Sequence, residues 1–175
     1  RETASFVKPW WHINQGEPGW VPPLLMDRKK FFDPRKNPYF KYADVQCFVA
    51  ERDGTVVGTI AATVDKALQE KEPGTGLFGF FEFVQDESVA LALLNAAKEW
   101  LSHKGMKEAR GPYNFNSNHD FGLLVDGFDT PACIANPHAR PYYGPTYEAI
   151  GLERKNDWYA YWMDAGPMPE QIKRI

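Results

Sequence analysis

"TGLFGFFEFVQDESVALALL", residues 75–94, decides the fold. Its first half, Thr75 to Val84, is apolar on both alternating faces, the pattern of a strand covered on both sides in the middle of a sheet. The second half changes period. Val89, Leu93, Ala96, Ala97, Trp100 and Leu101 share one helical stripe, with Asp86 placed to cap its start and Gly105 to end it. A buried strand running straight into an amphipathic helix implies a sheet covered by helices.

Upstream, "DVQCFVAERDGTVVGTIAATVD" (44–65) reads as a hairpin. Val45, Cys47 and Val49 alternate with Gln46, Phe48 and Ala50, Asp53-Gly54 marks a tight turn, and Val56 to Val64 resumes the strand. The polar "ALQEKEPG" (67–74) connects it to the central strand. Residues 6–40 are rich in aromatics and prolines. There "LLMDRKKFFD" (24–33) reads as a short helix stopped before Pro34, and Trp10, Trp11 and Trp20 are expected to fold onto the core. Downstream, "MKEARGPYNF" (106–115) reads as a fourth strand, "PYYGPTYEAIG" (141–151) as a short helix closed by Gly151, and "LERKNDWYAYWMD" (152–164) as a last strand. The order is helices, three strands, helix, strand, helix, strand. That is an α/β or α+β domain with a mixed sheet.

The composition agrees with one globular domain: 175 residues, 43% hydrophobic and 15% aromatic. Twenty Lys and Arg against 23 Asp and Glu leave a net charge of -3, with no overall attraction for nucleic acid or acidic membranes. The aromatics sit in core strands and are not interleaved with basic residues, so nucleic acid is not an expected partner. No apolar run has the length of a membrane span and no secretory pattern opens the chain, so no membrane partner is expected. Cys47 and Cys133 cannot build a disulfide framework, and a reducing cytoplasm is the default location. The chain begins at Arg1, so a segment upstream is expected.

Five segments carry a resemblance: "WVPPLLMDRKKFFDPRKNPYF", "CFVAERDGTVVG", "GFFEFVQD", "GPYNFNSNHDFGLLVDGFDTP" and "PYYGPTYEAIGLERKNDWYAY". With the element order, they resemble the GNAT acyltransferase superfamily, in particular an uncharacterised bacterial branch. The Gly-Pro-x-Asn-Phe through Gly-Phe-Asp stretch is the most specific of the five. The resemblance implies a mixed, mostly antiparallel sheet flanked by helices, with two central strands splayed apart around an acyl-CoA groove. It places the fold's first strand before Arg1, puts the domain at residues 1–165, and makes 166–175 a linker toward a second domain. A homodimer is the other assembly considered. It further implies transfer from acetyl-CoA or another acyl-CoA to a small amine.

One departure from the family is plain. GNAT enzymes hold the CoA pyrophosphate on an Arg/Gln-x-x-Gly-x-Gly/Ala loop, whereas the matching cofactor-binding segment here, Val84, Gln85, Asp86, Glu87 and Ser88, has no glycine. Asp86 and Glu87 would satisfy the helix start themselves and repel a pyrophosphate.

Two catalytic candidates follow. Glu82 is read as sharing a strand face with Phe78, Phe80 and Val84. Such a carboxylate among rings has a raised pKa suited to a general base, the alternative being an ion pair with a nearby Arg or Lys. Tyr147, in "TYEAIGLE", resembles the tyrosine that protonates the departing CoA thiolate; Tyr142 and Tyr143 compete for that role, and packing is the alternative for each. Asn114, Asn116, Asn118 and His119 are candidate substrate-binding groups, against the reading that these amides tie down the loop to residue 131. His119, Asp120, Asp126, Asp129 and His138 keep no metal-ligand spacing, and no metal is expected. A Cys133 nucleophile paired with His138 has no geometric support in sequence. The basic run Arg28, Lys29, Lys30, Arg35, Lys36 and Lys41 reads as a solvated face or a phosphate-facing one. Against the enzyme stands a different class of protein, a non-catalytic GNAT-like binding or docking half whose groove is filled by side chains.

Overall fold

The computed structural model describes residues 2–134, 136–161 and 166. Two short helices, α1 (Glu2–Val7) and α2 (Pro9–Ile13), precede α3 (Leu25–Phe31) and a 3-10 turn at Pro38–Lys41. The hairpin follows as β1 (Ala43–Arg52) and β2 (Thr55–Asp65), with Asp53 and Gly54 at positive φ as its turn requires. Helix α4 (Lys66–Lys71) leads to β3 (Thr75–Phe83), then α5 (Glu87–His103), β4 (Glu108–Arg110) and α6 (Tyr143–Ala149). The strands lie in the order β1-β2-β3-β4. The first two pairings are antiparallel and β3–β4 is parallel. This is the mixed, mostly antiparallel sheet expected from the sequence.

The strand-to-helix unit forms as read. Asp86 accepts from the Ser88 N–H at 2.9 Å to cap α5, and Gly105 closes the other end at φ 82°. Val89, Leu93, Leu94, Ala97 and Leu101 of α5 pack on Phe78, Phe81 and Phe83 of β3 and on Tyr143 and Tyr147 of α6. On the opposite face Phe6, Val7, Trp10 and Phe32 close over Phe80, Ala61 and Phe115.

Those two lists correct one expectation. Simple alternation would put Phe78, Phe80, Glu82 and Val84 together, but Phe80 has φ 47° and the β2–β3 register shifts between Thr59 and Ala61. The bulge inserts one residue and exchanges the faces beyond it. Phe78 therefore joins Phe81 and Phe83 under α5, with Val84 packed against the same cluster, while Phe80 lies on the other side.

The fourth strand is also shorter than read. It stops at Arg110, and beyond it the chain stays close to β3, where Tyr113 donates its N–H to the Phe78 carbonyl at 2.7 Å. A Cβ on Gly79 would collide with the Tyr113 carbonyl, and one on Gly111 with the Phe78 carbonyl. Glycine at both places permits this close approach. The expected strand over 152–164 does not form in its described part, 152–161, where Trp158, Tyr159 and Tyr161 are exposed. Except for Gly166, the expected linker 166–175 lies outside the described residues.

Candidate active site

A cavity of about 410 Å³, the size of a small-molecule site, opens on the bulged side of β3. Trp10, Trp20, Val21, Pro23 and Phe80 give it apolar walls; Glu82, Asn114, Asp120, Arg28 and His138 bring polar groups. The bulge creates this arrangement, because it turns Phe80 away from the α5 core. Trp10 stacks flat on Phe80, centroids 5.5 Å apart, and donates its indole N–H to the Thr59 hydroxyl at 3.0 Å. That hydroxyl in turn donates to the Phe80 carbonyl at 2.9 Å.

Glu82 is held on one oxygen. Its Oε2 accepts from the Asn14 amide at 3.0 Å and from the Tyr143 hydroxyl at 2.7 Å. Burial pushes the Glu82 carboxyl above the usual glutamate range; the Asn14 and Tyr143 hydrogen bonds and the charge of Arg140 pull the other way without overcoming it. Among the described residues Glu82 makes no direct ion pair, so the paired-glutamate alternative is not what forms.

The tyrosines separate. Tyr143 reaches Glu82 and also accepts the Phe83 N–H at 3.2 Å, while Tyr142 donates to the Phe83 carbonyl at 2.6 Å. Tyr147 stacks on Phe81 at 5.1 Å, and among the described residues its hydroxyl makes no hydrogen bond. Burial raises Tyr143 and Tyr147 well above the ordinary tyrosine range, so both stay protonated, the state a proton donor needs.

Of the four candidate binding groups, the cavity contains Asn114 alone. Its Oδ1 accepts the Phe80 N–H at 2.7 Å, replacing the ladder partner that β4 no longer supplies. Asn116 donates to Asp65 at 3.1 Å and accepts from the Asn118 N–H at 3.0 Å, with the His119 ring 2.9 Å away. Asn118 is exposed, and His119 packs against Phe31, Tyr39 and Phe115, where burial lowers its pKa. The Asn116 amide and the His119 ring tie down the loop.

Val84, Gln85, Asp86, Glu87 and Ser88 form the turn into α5, outside the cavity lining. Asp86 there also takes Arg52 at 2.6 Å and the Ser88 hydroxyl at 2.7 Å. The Ser88 bonds and Arg52 hold its carboxyl well below the usual range, so a full negative charge sits on this helix start. In the basic run, Arg28 pairs with Asp120 at 3.3 Å on the cavity wall, while Arg35 and Lys36 pair with Asp33. Among the described residues no three His, Cys, Asp or Glu groups converge as metal ligands, and no helix is long and apolar enough to cross a membrane.

Asn14 and Arg140 were not singled out from sequence. The signal for Asn14 was present: Phe6, Trp10, Ile13 and Asn14 repeat at helical spacing, and Asn14 is buried with them. Arg140 sits in a Pro-rich loop with no periodicity, and nothing in sequence marks it.

The sequence model of the Acetyltransferase (GNAT) family matches residues 9–119, and the chain belongs to that family, whose acyl donor is an acyl-CoA. It is 38% identical over 176 residues to the bacterial ceramide synthase of Caulobacter vibrioides, covering 99% of this chain and 46% of that protein. With protein YghO of Escherichia coli it shares 37% over 148 residues, 84% of this chain and 38% of the other. The chain thus spans less than half the length of these curated relatives. A solved aminoglycoside acetyltransferase from an uncultured soil metagenomic sample has the same fold, with a TM-score of 0.53 at 12% identity over 93% of this chain and 89% of that one.

Proposed function

We propose that this domain transfers an acyl group from acyl-CoA directly to the amine of an acceptor held in the Glu82 cavity. The observation that carries the reading is a half-buried carboxylate, held by Asn14 and Tyr143, on the wall of a cavity large enough for a substrate. The amine nitrogen attacks the thioester carbon, Glu82 accepts the proton the nitrogen loses, and the carbon–sulfur bond breaks. Tyr143, which donates to Glu82, is the tyrosine proposed to return a proton to the sulfur; it shares the packed cluster with Tyr147, whose hydroxyl has no such contact among the described residues. Asn114 and Asn14 hold the strand edge and the carboxylate.

The cavity lining is mixed, with Trp10, Trp20, Val21 and Pro23 beside Arg28, Glu82, Asn114 and Asp120, so an amine that joins a polar head to a hydrocarbon part is the proposed acceptor. A ceramide is an amide of a long-chain amine, so the Caulobacter relative's name supports the same substrate class here. The domain is proposed to act in the cytoplasm, with Asp86 displaced or bypassed when the CoA diphosphate binds.

One set of observations favours the non-catalytic docking reading. The strand-edge N–H groups of Phe80 and Phe83 are taken by Asn114 and Tyr143, and the α5 start by Asp86. Calorimetric titration of the full-length protein with acetyl-CoA, palmitoyl-CoA and free CoA separates the two. Micromolar binding supports the transferase; no binding by folded protein supports the docking half.

A further inference from the structure

The net charge of -3 conceals a segment of the opposite sign. Residues 21–41 hold six Lys and Arg against two acids, Asp27 and Asp33. The same segment carries apolar side chains that the core does not use. Leu25, Phe31 and Phe32 pack inward from α3, whereas Leu24 is 70% and Met26 66% exposed. Met26, Lys29 and Lys30 fall at i, i+3 and i+4 and so share the outer face of that helix. Its positive charge is only partly met. Arg35 and Lys36 divide one carboxylate, Asp33, between them, Lys30 stands 3.9 Å from Asp27, and among the described residues Lys29 makes no ion pair.

This face runs up to the cavity. Val21 and Ile134 line it and are 57% and 99% exposed, so they stand at its rim. The Ala132 N–H donates to the Gly19 carbonyl at 3.0 Å and ties the two rim segments together. Single apolar residues scattered over a surface are ordinary, but Val21, Leu24 and Met26 fall within six residues, beside a rim isoleucine and a basic helix face. Side chains as exposed as Leu24, Met26 and Ile134 protrude. They suit insertion into a fluid interface better than the shape-matched core of a protein contact. Apolar side chains bordered by lysines are the composition of a surface that lies on a bilayer, where hydrocarbon enters between headgroups and ammonium groups meet lipid phosphates.

We propose that this face docks on an anionic lipid bilayer, with Leu24, Met26 and Ile134 entering the headgroup region and Lys29 and Lys30 meeting lipid phosphates, so that the cavity rim is held against the membrane. Such docking is peripheral and needs no spanning helix. It stands independently of the acyl-transfer reading, because vesicle binding is measured without turnover.

Flotation of the full-length protein with vesicles tests it, comparing phosphatidylcholine alone with phosphatidylcholine and phosphatidylglycerol in equal parts. Binding is expected to be at least about tenfold tighter on the mixed vesicles and to weaken as salt is raised. Lys29→Gln with Lys30→Gln is expected to lose about tenfold or more on the mixed vesicles, since each lysine near a charged surface contributes about fivefold. Leu24→Ser with Met26→Ser is expected to lose about tenfold on the same vesicles. All four residues are exposed and none lines the cavity, so both variants are expected to melt with the wild type. Hydrogen exchange of the wild type gives a readout that needs no variant. Slowing over residues 20–30 on adding mixed vesicles supports the assignment, and slowing confined to other segments overturns it. Equal affinity for the two vesicles, binding to neither, or full binding by either variant also overturns it. So does a wild-type dimer that Leu24→Ser with Met26→Ser dissociates in sedimentation velocity, which would give this face to a second copy of the chain.

Discussion

The two faces of β3 are built on opposite principles. Under α5, Phe78, Phe81 and Phe83 meet Leu93, Leu94 and Tyr147 in one apolar cluster. Across the strand, Phe80 shares its side with Trp10, and the cavity there gathers Glu82, His138, Asp120 and Arg28 within one wall system. One bulged residue separates these environments. The lesson is that the packed face supplies the stability that lets the other face hold a half-buried carboxylate, whose desolvation works against folding.

The largest expected effect falls on the packed face. Phe78→Ala is expected to destabilise the domain by about 3–5 kcal/mol, measured by urea unfolding, because the ring is fully buried and the site cannot collapse around α5. A loss below about 1 kcal/mol would break the contrast between the faces. On the cavity face Trp10→Phe keeps the stacking on Phe80 and removes the bond to Thr59, so about 1 kcal/mol is expected in the same assay.

Glu82→Gln sharpens the comparison through pH. A carboxyl whose folded pKa is raised binds more protons in the folded state than in the unfolded one, so stability is full below the unfolded pKa of 4.5 and falls as pH rises through the folded value. The variant is therefore expected to melt above the wild type at pH 7 to 8, with the gain disappearing below pH 4.5. A gain that persists in acid contradicts the burial argument. The smallest effect is expected at Asp86→Asn, which weakens the α5 cap slightly and removes a negative charge from the helix start. Calorimetry should show tighter CoA binding if the diphosphate uses that end of α5, and unchanged binding if it does not.

Sequence patterns reveal the packed face far better than the cavity. The stripe of α5, its Asp86 cap, the hairpin turn at Asp53-Gly54 and the helix closed by Gly151 are local signals, and each forms where expected. Glu82 was legible because a charged residue in an otherwise apolar strand stands out. Its surroundings were not, since alternation cannot announce the bulge at Phe80, and the bulge decides which rings share its face. The asparagine row is hard to read for a related reason. Its every-second spacing suits a strand, but the ladder ends at Arg110, Phe115 takes φ 87°, and the Asn116 side chain bonds Asp65 and the Asn118 N–H within the loop. Asn14, Glu17, His138 and Arg140 meet across more than a hundred residues of chain, a closeness no local pattern carries.

The most direct measurement is release of CoA thiol by the full-length protein supplied with palmitoyl-CoA and 2-aminooctadecan-1-ol, wild type against Glu82→Gln, from pH 5 to 9. A base at Glu82 predicts a wild-type rate that rises with pH through a value above the ordinary glutamate range, and a variant slower by about a hundredfold or more. Equal rates in the two proteins, with the same pH profile, would contradict the assignment of Glu82 as the base.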